Sequence, residues 1–165
     1  MHYPHVAHFA GNDETALIDG VARYLRTALD SEGCALVVTS VARRDRIDAQ
    51  LGKPDRVTWI DGHQILALIH RDGKIDANAF RNVVGRKVRE TIKSNGARPL
   101  YAYGDMVGTL WEGGHHAAAI QLERLWNDLG SSEPFRLYCA YPIDANECTH
   151  PHVQAVIDLH SELVA

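Results

Sequence analysis

The chain has 165 residues, of which 45% are hydrophobic, enough for one core and one domain, residues 1–165. A net charge of −4 with Lys and Arg interspersed among acids speaks against a nucleic-acid footprint, which needs a basic surface. No apolar run reaches bilayer length, and the opening "MHYPHVAHFAG" lacks the basic and apolar regions of a signal peptide, so a cytoplasmic protein is expected.

The first predicted strand is short, Val6 to Phe9. "GNDETALIDGVARYLRTALDSEG" then places Leu17, Val21, Tyr24, Leu25 and Ala28 at helical spacing, with Asn12 or Asp13 as cap and Gly33 as stop. "CALVVTS", Cys34 to Ser40, is a continuous β-branched run of the kind buried on both faces of a sheet. "ARRDRIDAQLG" predicts a short helix, "RVTWID" a strand, and "GHQILALIHRDG" a helix bounded by glycines. The stretch "IDANAFRNVVGRKVRETIKSNG" puts Phe80, Val83, Val84, Val88 and Ile92 on one helical face and stops at Asn95-Gly96. "RPLYAY" is a strand, followed by two helices in "GDMVGTLWEGGHHAAAIQLERLWNDL". "PFRLYCAYP" is a last strong strand, and "HPHVQAVIDLHSELV" predicts a closing helix.

Strands alternating with helices imply crossover connections, so the expected fold class is a three-layer α/β domain with a mostly parallel central sheet. In such sheets ligands bind outside the carboxyl ends of the strands. Those ends are Ser40 to Arg43, Asp61 to His63, Gly104 to Met106, and Tyr141 to Asp144.

The chemistry available there is narrow. After "CALVVTS" the chain reads "VARRDRID", with neither the glycines nor the Lys-Ser or Lys-Thr pair of a phosphate-binding loop, so classical ATP hydrolysis is not expected. Arg43 and Arg44 are read as surface charges, with contact to an anionic ligand as the alternative. Asp105 stands where an acid holding Mg²⁺ would stand, but capping the next helix is its expected role. Glu123 lies at the margin of an apolar stripe centred on Ala118, Leu122, Leu125 and Leu129, facing either a pocket or solvent.

Ten histidines raise the question of a metal. They gather as His2, His5 and His8; His115 and His116; and "CTHPH" with His160 beyond it. No CxxC or HExxH spacing is present, and no metal site is expected. The three cysteines, Cys34, Cys139 and Cys148, are an odd and scattered set that builds no disulfide framework. Cys34 and Cys139 fall in predicted strands, where buried, inert thiols are the default. There is no GxSxG elbow, and nothing identifies a catalytic nucleophile.

"LYAYGDMVGTLWEGGHHAAAIQLERLWNDL", then "FRLYCAYP", then "DLHSELV" resembles the MEDS domain, a sensory domain of DcmR-type regulators. The residues that carry the resemblance are Gly104-Asp105-Met106, Glu123, Trp126-Asn127 and Cys139 to Tyr141, with His8 and His160 near the two ends. At Asp105 the family's usual residue is Glu; the shorter side chain keeps the charge but withdraws it from a ligand. The resemblance implies a RecA-like or KaiC-like fold without a phosphate loop, used for sensing. It also implies a signalling partner, a histidine kinase or transcription regulator, with no output module in this chain.

The first reading is therefore a non-catalytic domain that binds a small molecule at the strand carboxyl ends and regulates a partner protein. Its polar candidates are His8, Asp105, Glu123, Tyr141 and His160, with Met106 and Trp111 in the apolar wall. The second is a degenerate nucleotide-binding protein using Arg43, Arg44 and Asp105. The third is a metal-dependent enzyme built on the histidines. A homo-oligomer is compatible with all three, and neither the ligand nor a cofactor follows from the sequence.

Overall fold

A computed structural model describes residues 3–147 and 150–165. His2, Cys148 and Thr149 lie outside the described residues. The elements run β1 (His5–Phe9), α1 (Glu14–Asp30), β2 (Cys34–Thr39), α2 (Val41–Leu51), β3 (Val57–Asp61) and α3 (Gly62–Ile69). A small ribbon, β4 (His70–Arg71) and β5 (Lys74–Ile75), leads into α4 (Ala77–Phe80), a wide π-helical turn at Arg81–Gly85, and α5 (Arg86–Ser94). The remainder is β6 (Leu100–Gly104), α6 (Met106–Glu112), α7 (His116–Ser132), β7 (Phe135–Tyr141), α8 (Pro151–Asp158) and β8 (Glu162–Val164).

Six strands form one sheet in the order β3-β2-β6-β7-β1-β8, and every pairing in it is parallel. The predicted three-layer α/β architecture is what the chain adopts. Alternation along the strands divides the core in two. Val6, Ala35, Val37, Tyr103 and Tyr138 pack against Leu17, Val21 and Leu25 of α1 and Ile47 of α2. Ala7, Phe9, Leu36, Leu137, Cys139 and Tyr141 face the opposite layer, with α3 and α5 to α8. Each strand residue is thus assigned to one layer by its parity, a point that decides which candidate side chains can meet.

The local signals behind these elements are ordinary ones. Asp13 caps α1 by accepting from the Ala16 amide, and Ser40 caps α2 by accepting from that of Arg43. Gly52 ends α2 at φ 78°, a left-handed conformation that suits glycine.

Three features depart from expectation. The glycine-bounded helix stops at Ile69, because Asp72 and Gly73, at φ 52° and 75°, make a tight turn that folds the chain into the β4–β5 ribbon. Gln121 of α7 clamps that ribbon, accepting from the Ile75 amide at 2.9 Å and donating to the Ile75 carbonyl at 2.8 Å. The helix after it carries the π-helical turn, although Phe80, Val84 and Val88 are buried as the periodicity requires. Finally, the closing helix ends at Asp158, and Glu162–Val164 pair with Val6–His8 as a sixth strand.

Candidate functional site

The described histidines sort by layer rather than by sequence cluster. His5 shares its strand face with Ala7 and Phe9, and lies beside Cys139 of β7. His8 is on the other face, where its Nδ1 meets the Tyr138 hydroxyl at 2.8 Å beneath α1. His116, His150 and His152 form a separate group, with ring centroids 5.2 to 6.1 Å apart.

The most unusual chemistry surrounds Glu123. It is 0% exposed, on the face of α7 that packs against the sheet. Helical spacing puts it at the stripe margin; the depth of the interface carries it wholly inside. Tyr141 donates its hydroxyl to Oε1 at 2.5 Å, and the Cys139 thiol lies 3.8 Å from Oε2. His5 Nε2 is 3.1 Å from Oε2, and His160 Nε2 is 3.2 Å from Oε1. These groups come from α7, β7, β1 and the turn between α8 and β8.

The far sides of both imidazoles are also held. His160 Nδ1 is 2.6 Å from the Val156 carbonyl, which can only accept, so Nδ1 carries a proton. Asn127 donates its amide to the Leu159 carbonyl at 2.9 Å, which leaves its oxygen facing His5 Nδ1 at 2.7 Å. His5 Nδ1 is therefore a donor as well. Both rings present Nε2 to the carboxylate.

Burial alone would raise the pKa of Glu123, but His160 and then His5 overcome it and hold the carboxyl well below its usual range. For His160 burial works downward, and the Glu123 charge and Val156 carbonyl reverse it, so its pKa is raised. Burial, then the Glu123 charge, pushes the Cys139 thiol and the Tyr141 hydroxyl up. Cys139 is thus buried as expected, but it is not isolated.

A second buried carboxylate, Asp105, lies at the carboxyl end of β6. It makes no side-chain cap to α6; this corrects the capping expectation. Its Oδ2 instead accepts from Thr39 at 2.6 Å, Tyr103 at 3.0 Å and Arg43 at 2.9 Å. Arg43 also donates through Nε and Nη2 to the two oxygens of Glu14, at 2.7 and 2.9 Å. Its guanidinium is committed to these two acids, so it is no free surface charge. Arg44 instead lies 5.8 Å over the Trp59 ring.

Beside this pair a polar cleft of about 150 Å³ opens at the strand carboxyl ends. Asp13, Glu14, Arg43, Thr109, Glu112 and Tyr141 line it. Of the residues named from the sequence, Glu123, Tyr141 and His160 meet beneath α7, and Trp111 packs edge-on against Tyr141 at 5.7 Å. Asp105 belongs to the Arg43 pair, Met106 packs over Gly62, and His8 is across the sheet. His5, Cys139 and the half-buried Asn127 complete the group; none was a ligand-binding candidate, although Asn127 and Cys139 carried the family resemblance and His5 stood in the first histidine cluster. The signal for His5 and Cys139 was strand parity, which becomes readable only once β1 is known to pair with β7; Asn127 stands one helical turn beyond Glu123 on α7.

The fold and this site define a three-layer α/β domain with a buried polar centre and no phosphate-binding loop. The chain belongs to the MEDS family, the "MEthanogen/methylotroph, DcmR Sensory domain", whose model matches residues 4–161. No curated protein and no solved structure matches it. No described helix is long and apolar enough to cross a membrane.

Proposed function

We propose that this sensory domain works without catalysis, binding a small molecule at the carboxyl ends of the strands and passing its occupancy to a partner protein. Tyr141 is the observation that carries the reading. It borders the cleft from behind at the end of β7, fully buried, and its hydroxyl rests on Glu123, which faces His160 in the C-terminal turn. A ligand that displaces Tyr141 alters the partners of a fully buried carboxylate, an energetically sensitive place.

The output runs through β8. Its pairing to β1 begins immediately after His160, where the Ser161 amide donates to the His5 carbonyl at 2.8 Å. β8 is an edge strand, and Leu163 and Val164 are 44% and 42% exposed, a surface suited to a signalling partner or a second copy. Binding acts only through differential affinity for two arrangements of this segment. The nucleotide reading has less support: Asp13, Glu14 and Glu112 give the cleft an acidic wall, and Arg43 is already paired.

The family description points to one-carbon metabolism, so the test is thermal unfolding with millimolar methylated amines, alcohols, thiols and halides. A stabilisation that is lost in Tyr141→Phe supports the proposal. No shift with any of these compounds contradicts it.

A further inference from the structure

Glu123 is buried without Lys or Arg, and the two imidazoles facing it are both oriented with Nδ1–H outward. If both rings are neutral, their Nε2 lone pairs confront carboxylate oxygens. If both are protonated, two cations share one buried anion. A single imidazolium balances the charge but leaves the other ring's Nε2 lone pair against the carboxylate, and His160 Nε2, in a side chain only 1% exposed, lies 3.2 Å from Glu123 Oε1 yet makes no hydrogen bond. It is an unpartnered buried atom aimed into the cluster.

The geometry points to a tetrahedral divalent-metal site whose ligands are His5 Nε2, His160 Nε2, a Glu123 carboxylate oxygen and Cys139 Sγ, a set suited to Zn²⁺. These four ligand positions lie within 4.8 Å of one another. Ligand bonds of about 2.0–2.3 Å give tetrahedral edges of about 3.3–3.8 Å. Glu123 Oε2 lies 3.1 Å from His5 Nε2 and 3.8 Å from Cys139 Sγ, those two atoms are 3.4 Å apart, and His160 Nε2 is 3.2 Å from the other carboxylate oxygen, Oε1, so the nitrogen–oxygen edges open slightly as the ion enters.

Charge and outer contacts agree with that geometry. A divalent ion with one carboxylate, one thiolate and two neutral imidazoles is electrically balanced, which a buried site requires. The Cys139 proton leaves to solvent as the metal enters. Asn127 and the Val156 carbonyl supply the outer hydrogen bonds that orient metal-bound histidines, and Tyr141 supplies the corresponding bond to the carboxylate. Imidazole with thiolate favours Zn²⁺ over Mg²⁺ or Ca²⁺, which take oxygen ligands. With four protein ligands the ion has a structural role, joining the C-terminal turn to β1, β7 and α7. The inference rests on the cluster alone and does not require the sensory reading.

The test uses untagged protein carrying Cys34→Ser and Cys148→Ser, so that Cys139 is the only thiol left of the three. After metal removal, Co²⁺ is added and the visible and near-ultraviolet spectrum followed. The expected result is saturation at one ion per chain, with tetrahedral Co²⁺ bands and a sulfur-to-cobalt charge-transfer band. Zn²⁺ should erase the spectrum at one equivalent. Asn127→Ala, which touches no metal, should weaken the Co²⁺ affinity about 10–100-fold. Uptake without the sulfur band, or no uptake by folded protein, overturns the proposal. The group of His116, His150 and His152 would give uptake without that band. Methyl-compound binding by protein that takes up no Co²⁺ would leave the sensory proposal standing and remove this one.

Discussion

His160 Nε2 stands 3.2 Å from Glu123 Oε1, and both side chains are shut away from water, at 1% and 0% exposure. This contact makes a turn near the C-terminus part of the polar centre of the domain. Its partners span both sides of the carboxylate, so removing the acid strands several groups together.

Glu123→Ala should therefore destabilise the fold by about 3–5 kcal/mol, as expected when one member of a buried ionic group is deleted. Asp128→Ala, on the exposed face of the same helix, should stay within about 0.5 kcal/mol of wild type. Urea unfolding of the two variants makes the comparison. A sequence reading that leaves Glu123 at the helix margin predicts an intact fold for its alanine variant, and equal midpoints would favour that reading.

Arg43 holds two acids of different depth. Asp105 has a side chain 4% exposed and Glu14 one 42% exposed. Arg43→Ala should cost about 3 kcal/mol, chiefly by leaving Asp105 without its cation. Glu14→Ala should cost less than about 1 kcal/mol, since water screens that half of the arrangement. In double-mutant cycles the Arg43–Asp105 coupling should exceed that of Arg43–Glu14; the reverse order would show that the buried pair is not the tie.

His8 should mark the acid limb of stability. Burial first, and Arg23 second, lower its pKa from the ordinary 6.5. In acid the unfolded chain binds a proton that the folded chain resists, so stability rises with pH over this window. The contribution is complete above 6.5 and is lost as pH falls through the lower, folded value. His8→Gln should flatten the fall in unfolding free energy below pH 6.5 relative to wild type. Parallel curves for the two proteins would contradict this.

Gly108 allows α6 to lie on the sheet. A Cβ there would stand 2.5 Å from the Ala140 carbonyl oxygen, a backbone atom that cannot swing aside. Gly108→Ala should lower stability by about 1–3 kcal/mol. An unchanged melting curve would mean that α6 shifts freely.

Much of this architecture was legible because its signals are local. The run "CALVVTS" announced a central strand, and the spacing of Phe80, Val84 and Val88 announced a buried helix face through the π-helical turn. β8 was not legible, since "SELV" has no strong strand pattern and its partner, β1, is at the other end of the chain. Glu123 was visible as a residue in an unusual place, but helical spacing gives direction and not depth. His5 and Cys139 become neighbours only through the parallel pairing of β1 with β7, which no spacing along the chain records. Asp105 stood at a helix start, where a cap is common; Thr39, Tyr103 and Arg43 offered it stronger partners.

The central claim is that the buried group around Glu123 holds the C-terminal strand to the core. Amide hydrogen exchange in wild type and Glu123→Gln tests it most directly, comparing residues 161–164 with β3 at the opposite edge of the sheet. The account predicts much faster exchange in 161–164 with little change in β3. Equal acceleration at both edges, or none at 161–164, would contradict it.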